Sequence, residues 1–198
     1  NAVVTGTGSV WTISTTPNVP GSQPQGLAIG QSATSSGTLT IANGGVVNVS
    51  SVVVGGAVGS QATLNIGAAA ASPAAAAGTL NATAVVFATG ATGTVNFNHT
   101  STNYEFAAGI QGTGPGTVNF LSGTTILTGN NTYAGTTNIS AGATAQFGNR
   151  GTNGGSNGLI SGDVTNNGAM IVNLAALSTT YGGVISGSGT FEQAGTGT

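Results

Sequence analysis

Five times this chain restarts one short phrase: Gly37-Thr38-Leu39-Thr40-Ile41, Ala62-Thr63-Leu64-Asn65-Ile66, Gly78-Thr79-Leu80-Asn81-Ala82, Gly93-Thr94-Val95-Asn96-Phe97 and Gly116-Thr117-Val118-Asn119-Phe120. Each copy is a strand of alternating polar and apolar residues opened by Gly or Ala. The threonines Thr38, Thr63, Thr79, Thr94 and Thr117 recur at uneven spacings, within the range over which stacked repeat architectures return on themselves. Stacked strands place equivalent residues above one another at ~4.8 Å and therefore repeat residue type, which a sandwich of hairpins does not require. The phrase predicts an all-β fold, a right-handed parallel β-helix of roughly eight to ten coils at ~20–25 residues each.

In that arrangement Leu39, Ile41, Leu64, Ile66, Leu80, Val95, Phe97, Val118 and Phe120 point inward as columns. Thr38, Thr40, Asn65, Asn81, Asn96 and Asn119 are then expected on one outer face. The spacings are uneven, so segments must leave the coil. Ala68–Ala77 and Pro17–Pro24 are the candidates, because proline discourages ladder pairing and Pro73 limits any helix in the alanine tract. Asn-Gly pairs such as Asn43-Gly44 mark turns where positive φ is accessible.

Charge is almost absent: Arg150 stands against Glu105, Asp163 and Glu192 in 198 residues. A single cation excludes a nucleic-acid-binding surface, whose affinity scales with the Lys and Arg at the phosphates. It excludes a polybasic membrane patch too, and no apolar run approaches the ~20 residues of a spanning helix. There is no cysteine, hence no disulfide, thiolate metal site or thiol nucleophile. Residue 1 is not methionine and no export leader is visible, so the chain reads as a processed product or an excised piece.

The three carboxylates are scattered along the second half of the chain, several coils from one another, whereas hydrolytic chemistry needs a converging pair. His99 has no second histidine or cysteine with which to ligate a metal and is expected in a turn. No catalytic residue, cofactor site or metal site is expected. Candidate surface contacts are Tyr104 and Tyr133, whose rings could stack on sugars, although aromatics flanked by glycine more commonly pack in the coil or cover its flank, and Arg150, which is expected to fasten the loop Gly148–Gly158.

The second half carries longer motifs. Leu127-Thr128-Gly129-Asn130-Asn131-Thr132-Tyr133-Ala134-Gly135-Thr136-Thr137-Asn138-Ile139, then Ile160-Ser161-Gly162-Asp163-Val164-Thr165-Asn166-Asn167-Gly168 and Tyr181-Gly182-Gly183-Val184-Ile185-Ser186-Gly187, resemble the passenger-associated repeat of bacterial autotransporters. On this resemblance the chain is one β-helical segment, 1–198, with phrase-type coils over 1–122 and passenger-associated repeats over 123–198. The resemblance implies export through the outer membrane to the cell surface or medium, and a non-catalytic scaffold role in display and attachment to a host surface, matrix ligand or glycan. Two further readings stand beside it: self-association through the ends or flanks of the helix, since unpaired strand edges template addition, and a glycan-binding or glycan-cleaving β-helix.

Overall fold

A computed structural model describes residues 1–13, 26–149, 158–174 and 180–196. All regular structure in them is β-strand. The chain runs β1 (Ala2–Thr5), β2 (Val10–Thr12) and β3 (Leu27–Ile29), then repeats the circuit as β4 (Ser36–Ala42), β5 (Val46–Asn48) and β6 (Ser51–Val54). A third circuit follows as β7 (Gln61–Gly67), β8 (Thr79–Asn81) and β9 (Ala84–Phe87), and a fourth as β10 (Thr92–Asn98), β11 (Tyr104–Phe106) and β12 (Gly109–Gln111). From β13 (Gly116–Leu127) onward each circuit holds fewer strands: β14 (Thr136–Ile139) with β15 (Ala143–Phe147), β16 (Val164–Asn166) with β17 (Ala169–Val172), and β18 (Ile185–Ser186) with β19 (Thr190–Gln193).

Every pairing between these strands is parallel, and each circuit returns to the same sheet. The main path is β1-β4-β7-β10-β13-β14-β16-β18; β2-β5-β8 form the second sheet and β3-β6-β9-β12 the third. Beyond β12 the third sheet ends and a two-sided stack takes over. β13 makes the change. An extra residue enters it between Phe120 and Ser122, and past the corner at Gly123 its second half pairs with β11 and β15. The strand thus crosses residue 122 without interruption.

The repeated phrase sets the register of the main path. Thr38, Thr63, Thr94, Thr117 and Thr136 are successive partners, although the circuits between them are unequal in length. One copy of the phrase lies elsewhere. Thr79, Leu80 and Asn81 pair with Val46, Val47 and Asn48 in the second sheet, so the short steps from Thr63 to Thr79 and from Thr79 to Thr94 are two legs of one long circuit. Alternation alone does not say to which sheet a strand belongs.

Apolar side chains alternate inward and stack in columns, the arrangement that removes most apolar area from water per strand. Phe97 and Phe120 lie face to face, 5.1 Å apart and 11° from parallel; Phe106 meets Phe97 edge-on at 5.1 Å, and Phe147 meets Phe120 at 6.3 Å. The glycine that opens the phrase serves packing. A Cβ on Gly116 would lie 2.2 Å from Phe87 Cδ2, and one on its partner Gly93 would lie 2.4 Å from Phe87 Cδ1. The ring of Phe87 fits only because both of these positions are bare.

The outer face differs from expectation. Asn65 and Asn96 are 1% and 3% exposed, joined in a ladder in which Asn65 Nδ2 donates to Thr40 Oγ1 at 3.0 Å and Asn96 Nδ2 to Asn65 Oδ1 at 2.8 Å. Asn119 donates to Asn96 and Asn138 to Asn119, both at 2.9 Å. A shorter ladder on the second sheet runs from Asn81 to Asn48 at 2.7 Å and from Asn48 to Thr12 at 3.1 Å. A primary amide carries both donors and an acceptor, so asparagine at this column gives to the circuit before it, takes from the circuit after it, and satisfies itself rung by rung.

Residues 67–78 leave the stack. Gly67 takes a positive φ of 89° at the exit. The alanine tract then folds as a turn, with Ser72 N donating to Ala69 O at 3.0 Å, and returns along His99 and the β4–β5 corner. Asn98 binds its crest, donating Nδ2 to Ala69 O at 2.8 Å and to Ser72 O at 2.9 Å. Pro17–Pro24 lies outside the described residues.

Candidate functional site

Of the three candidate contact residues, the structure describes Tyr104 and Tyr133, which belong to different circuits. Tyr133 is fully buried: its ring meets Phe87 edge-on at 6.0 Å and its hydroxyl pairs with Thr137 Oγ1 at 2.6 Å. Burial pushes its phenol well above the usual range, with the Thr137 bond opposing and the Tyr181 charge adding to it. It offers no face to a sugar. The reason is local: Thr137 occupies an inward position beside Val118 and Val164, and Tyr133 supplies the partner that a buried hydroxyl requires.

Tyr104 is partly buried, packs against the core and lies 5.1 Å from the His99 ring. Burial raises its phenol pKa, opposed by a backbone hydrogen bond at Leu80. Arg150 and most of the loop Gly148–Gly158 lie outside the described residues.

The carboxylates stay apart as well. Glu105, Ile126, Gln146, Ile171 and Glu192 are successive partners across β11, β13, β15, β17 and β19. Four strand spacings separate the two glutamates, roughly 19 Å at ~4.8 Å per step. Glu105 accepts from Thr128 Oγ1 at 3.1 Å, and Asp163 accepts from Val184 N at 2.8 Å. Both roles are local braces. Among the described residues no three His, Cys, Asp or Glu side chains converge as a metal site needs, and no helix is long and apolar enough to cross a membrane.

Two hollows open where the described stack begins and ends. One of about 270 Å³ is lined by Trp11, Leu27 and Leu39 among others. The other, about 160 Å³, lies between Leu159, Met170, Tyr181 and Phe191. Both are exposed core, without the converging polar groups that orient a ligand.

Among the described residues no metal-ligating side chains converge, so likeness to a known protein carries weight. The chain is similar to an autotransporter adhesin. The relative is the adhesin BmaC autotransporter of Brucella suis biovar 1 (strain 1330), 42% identical over 101 residues. The match takes in 45% of this chain and 3% of that protein, so the chain spans a small part of the length of the curated relative it matches. No protein family matches the chain, and no solved structure matches it.

Beyond the asparagine ladder, sequence reasoning missed the buried roles of His99, Asn131 and Asn98. His99 is an enclosed bridge partner of Ala75, with Nε2 2.8 Å from Thr125 Oγ1, and not a turn residue. Asn131 closes the end of the third sheet: Ile110 N donates to its Oδ1 at 2.9 Å, while its Nδ2 donates to Gly129 O and Gly158 O, each at 3.0 Å. Asn98 clasps the excursion. The tripeptide Gly129-Asn130-Asn131 was a visible cue for a capping amide; nothing adjacent in sequence announced His99 or Asn98, whose partners come from the excursion and from the following circuit.

Proposed function

We propose that the chain is a right-handed parallel β-helical segment of an autotransporter passenger, displayed at or shed from a bacterial surface, where it acts as a non-catalytic adhesive scaffold. The observation that carries this reading is the 42% identity with an autotransporter adhesin, on a chain whose strands all pair in parallel and return circuit by circuit to one sheet. A stack that satisfies its polar side chains internally and keeps its few carboxylates apart is suited to reach and contact area, since adhesion by such a surface is the sum of many weak contacts on a rigid support. Fusing residues 1–198 ahead of an outer-membrane barrel in a non-adherent bacterium tests it. Attachment to host cells or matrix should rise over cells carrying the barrel alone; equal attachment, or release of reducing ends from polysaccharides by the purified segment, would sink the reading.

A second reading is self-association through the flanks or ends of the stack, since unpaired strand edges template addition. Sedimentation across a hundredfold concentration range checks it, a constant monomer mass counting against it.

A further inference from the structure

His99 is the one histidine of the chain, and it is sealed. Its exposure is 0%. Nε2 engages Thr125, and Nδ1 has no hydrogen-bond partner. Tyr104 covers one side of the ring at 5.1 Å, and Gly123 lies so close on another that a Cβ there would fall 2.5 Å from Nδ1.

The charge environment is equally bare. From β11 the ring is faced by the Tyr104 phenol, while the Glu105 carboxylate binds Thr128. From β13 it is faced by Gly123 and Thr125, and from the excursion by Ala75; none of these three is ionisable. Apart from the Ser101 backbone, which can take only part of a second donor's bond, no acceptor and no opposite charge is placed to meet an imidazolium, and burying an unpaired cation is among the costliest arrangements a core can hold.

Of the elements packed on His99, β10 and β13 are locked in long parallel ladders. The excursion is held by separate hydrogen bonds: Ala68 N to Asn98 O at 2.9 Å, Thr100 N to Ala75 O at 3.0 Å, Asn43 N to Ala76 O at 2.8 Å and Gly44 N to Ala77 O at 3.1 Å, besides the Asn98 clasp. A segment fastened this way opens at lower free energy than a ladder strand.

We propose that His99 is an acid-release pin: its neutral imidazole holds the 67–78 excursion closed on the stack, and protonation in mildly acidic surroundings frees that loop while the sheets stay intact. Burial holds the imidazole below its ordinary range, the Ser101 backbone opposing this only in part. A histidine depressed in the closed form binds its proton more readily once opened. The closed form is therefore fully favoured above about pH 6.5 and loses stability as pH falls through that value. One histidine and no cysteine leave no second imidazole or thiol to respond in this pH range.

The test is amide hydrogen exchange on the purified chain at about pH 7.5 and about pH 5, corrected for intrinsic rates, with the imidazole followed by NMR in the same samples. Protection at Ala68, Thr100, Asn43 and Gly44 should fall on the order of tenfold at the lower pH, as a local opening of the excursion requires, while Leu64 and Val95 hold theirs. His99→Gln, which keeps a polar group opposite Thr125, should abolish the difference. Unchanged protection in the native chain overturns the proposal, as does the same pH dependence in His99→Gln. Should that variant not fold, the imidazole signal decides: titration below the ordinary histidine range supports the pin, and titration at or above it overturns it.

Discussion

Asn96 donates its side-chain amide to Asn65 Oδ1 across 2.8 Å, with both side chains closed off from water. Asn96 in turn accepts from Asn119, so removing it orphans an acceptor below and a donor above. Each orphaned buried group costs about 1–3 kcal/mol. Asn96→Ala should therefore lose roughly 2–5 kcal/mol in urea unfolding, twice the loss of Asn138→Ala, which leaves only the Asn119 acceptor unmet. Equal losses at the two positions would show that the ladder does not act as a chain of shared bonds.

Phe120 stacks on Phe97 and meets Phe147 edge-on, joining the two sheets at the β13 bend. Phe120→Ala should cost about 3–5 kcal/mol and Phe120→Leu much less. The comparison of unfolding midpoints separates loss of volume from loss of the ring.

Two glycines test whether room or backbone freedom matters. Gly116→Ala drives a Cβ into the Phe87 ring and should cost about 1–3 kcal/mol by overpacking. Gly142 has a φ of +83° and open space around it, so Gly142→Ala should cost about 1–2 kcal/mol of left-handed strain. Adding Phe87→Leu should recover part of the first loss and none of the second.

The Tyr133–Thr137 hydroxyl pair is buried at 2.6 Å. Tyr133→Phe strands the threonine hydroxyl, and Thr137→Val strands the phenol, each at about 1–3 kcal/mol. The double variant should lose less than the sum of the two, and a double-mutant cycle measures that coupling. Strict additivity would mean that the hydroxyls do not depend on each other.

Much of the fold was legible because Thr38, Thr63, Thr94 and Thr117 repeat both residue type and register. Leu80 was legible as an inward residue but not as a member of the second sheet, since the strand pattern encodes only which face is wet. The burial of Asn65 and Asn96 was hidden for another reason: an amide reads as a solvent residue until its neighbours one circuit away are known to be amides too. A packed place for Tyr133 was legible, but its Thr137 partner and the burial of His99 were not, because those surroundings come from other circuits or from polarity at inward positions such as Thr137 and Thr125, which breaks the alternation from which inward positions are read.

The circuit that contains Gly67–Gly78 is the longest between successive threonine partners on the main path, yet Thr94 still falls on Thr63. Strand pairing in this molecule is blind to the length of what is spliced between strands. Corners can therefore diversify in size and chemistry while the sheets keep their register, and the crest at Ala69–Pro73 is a place to graft a foreign peptide for multivalent display, provided that the carbonyls held by Asn98 are kept.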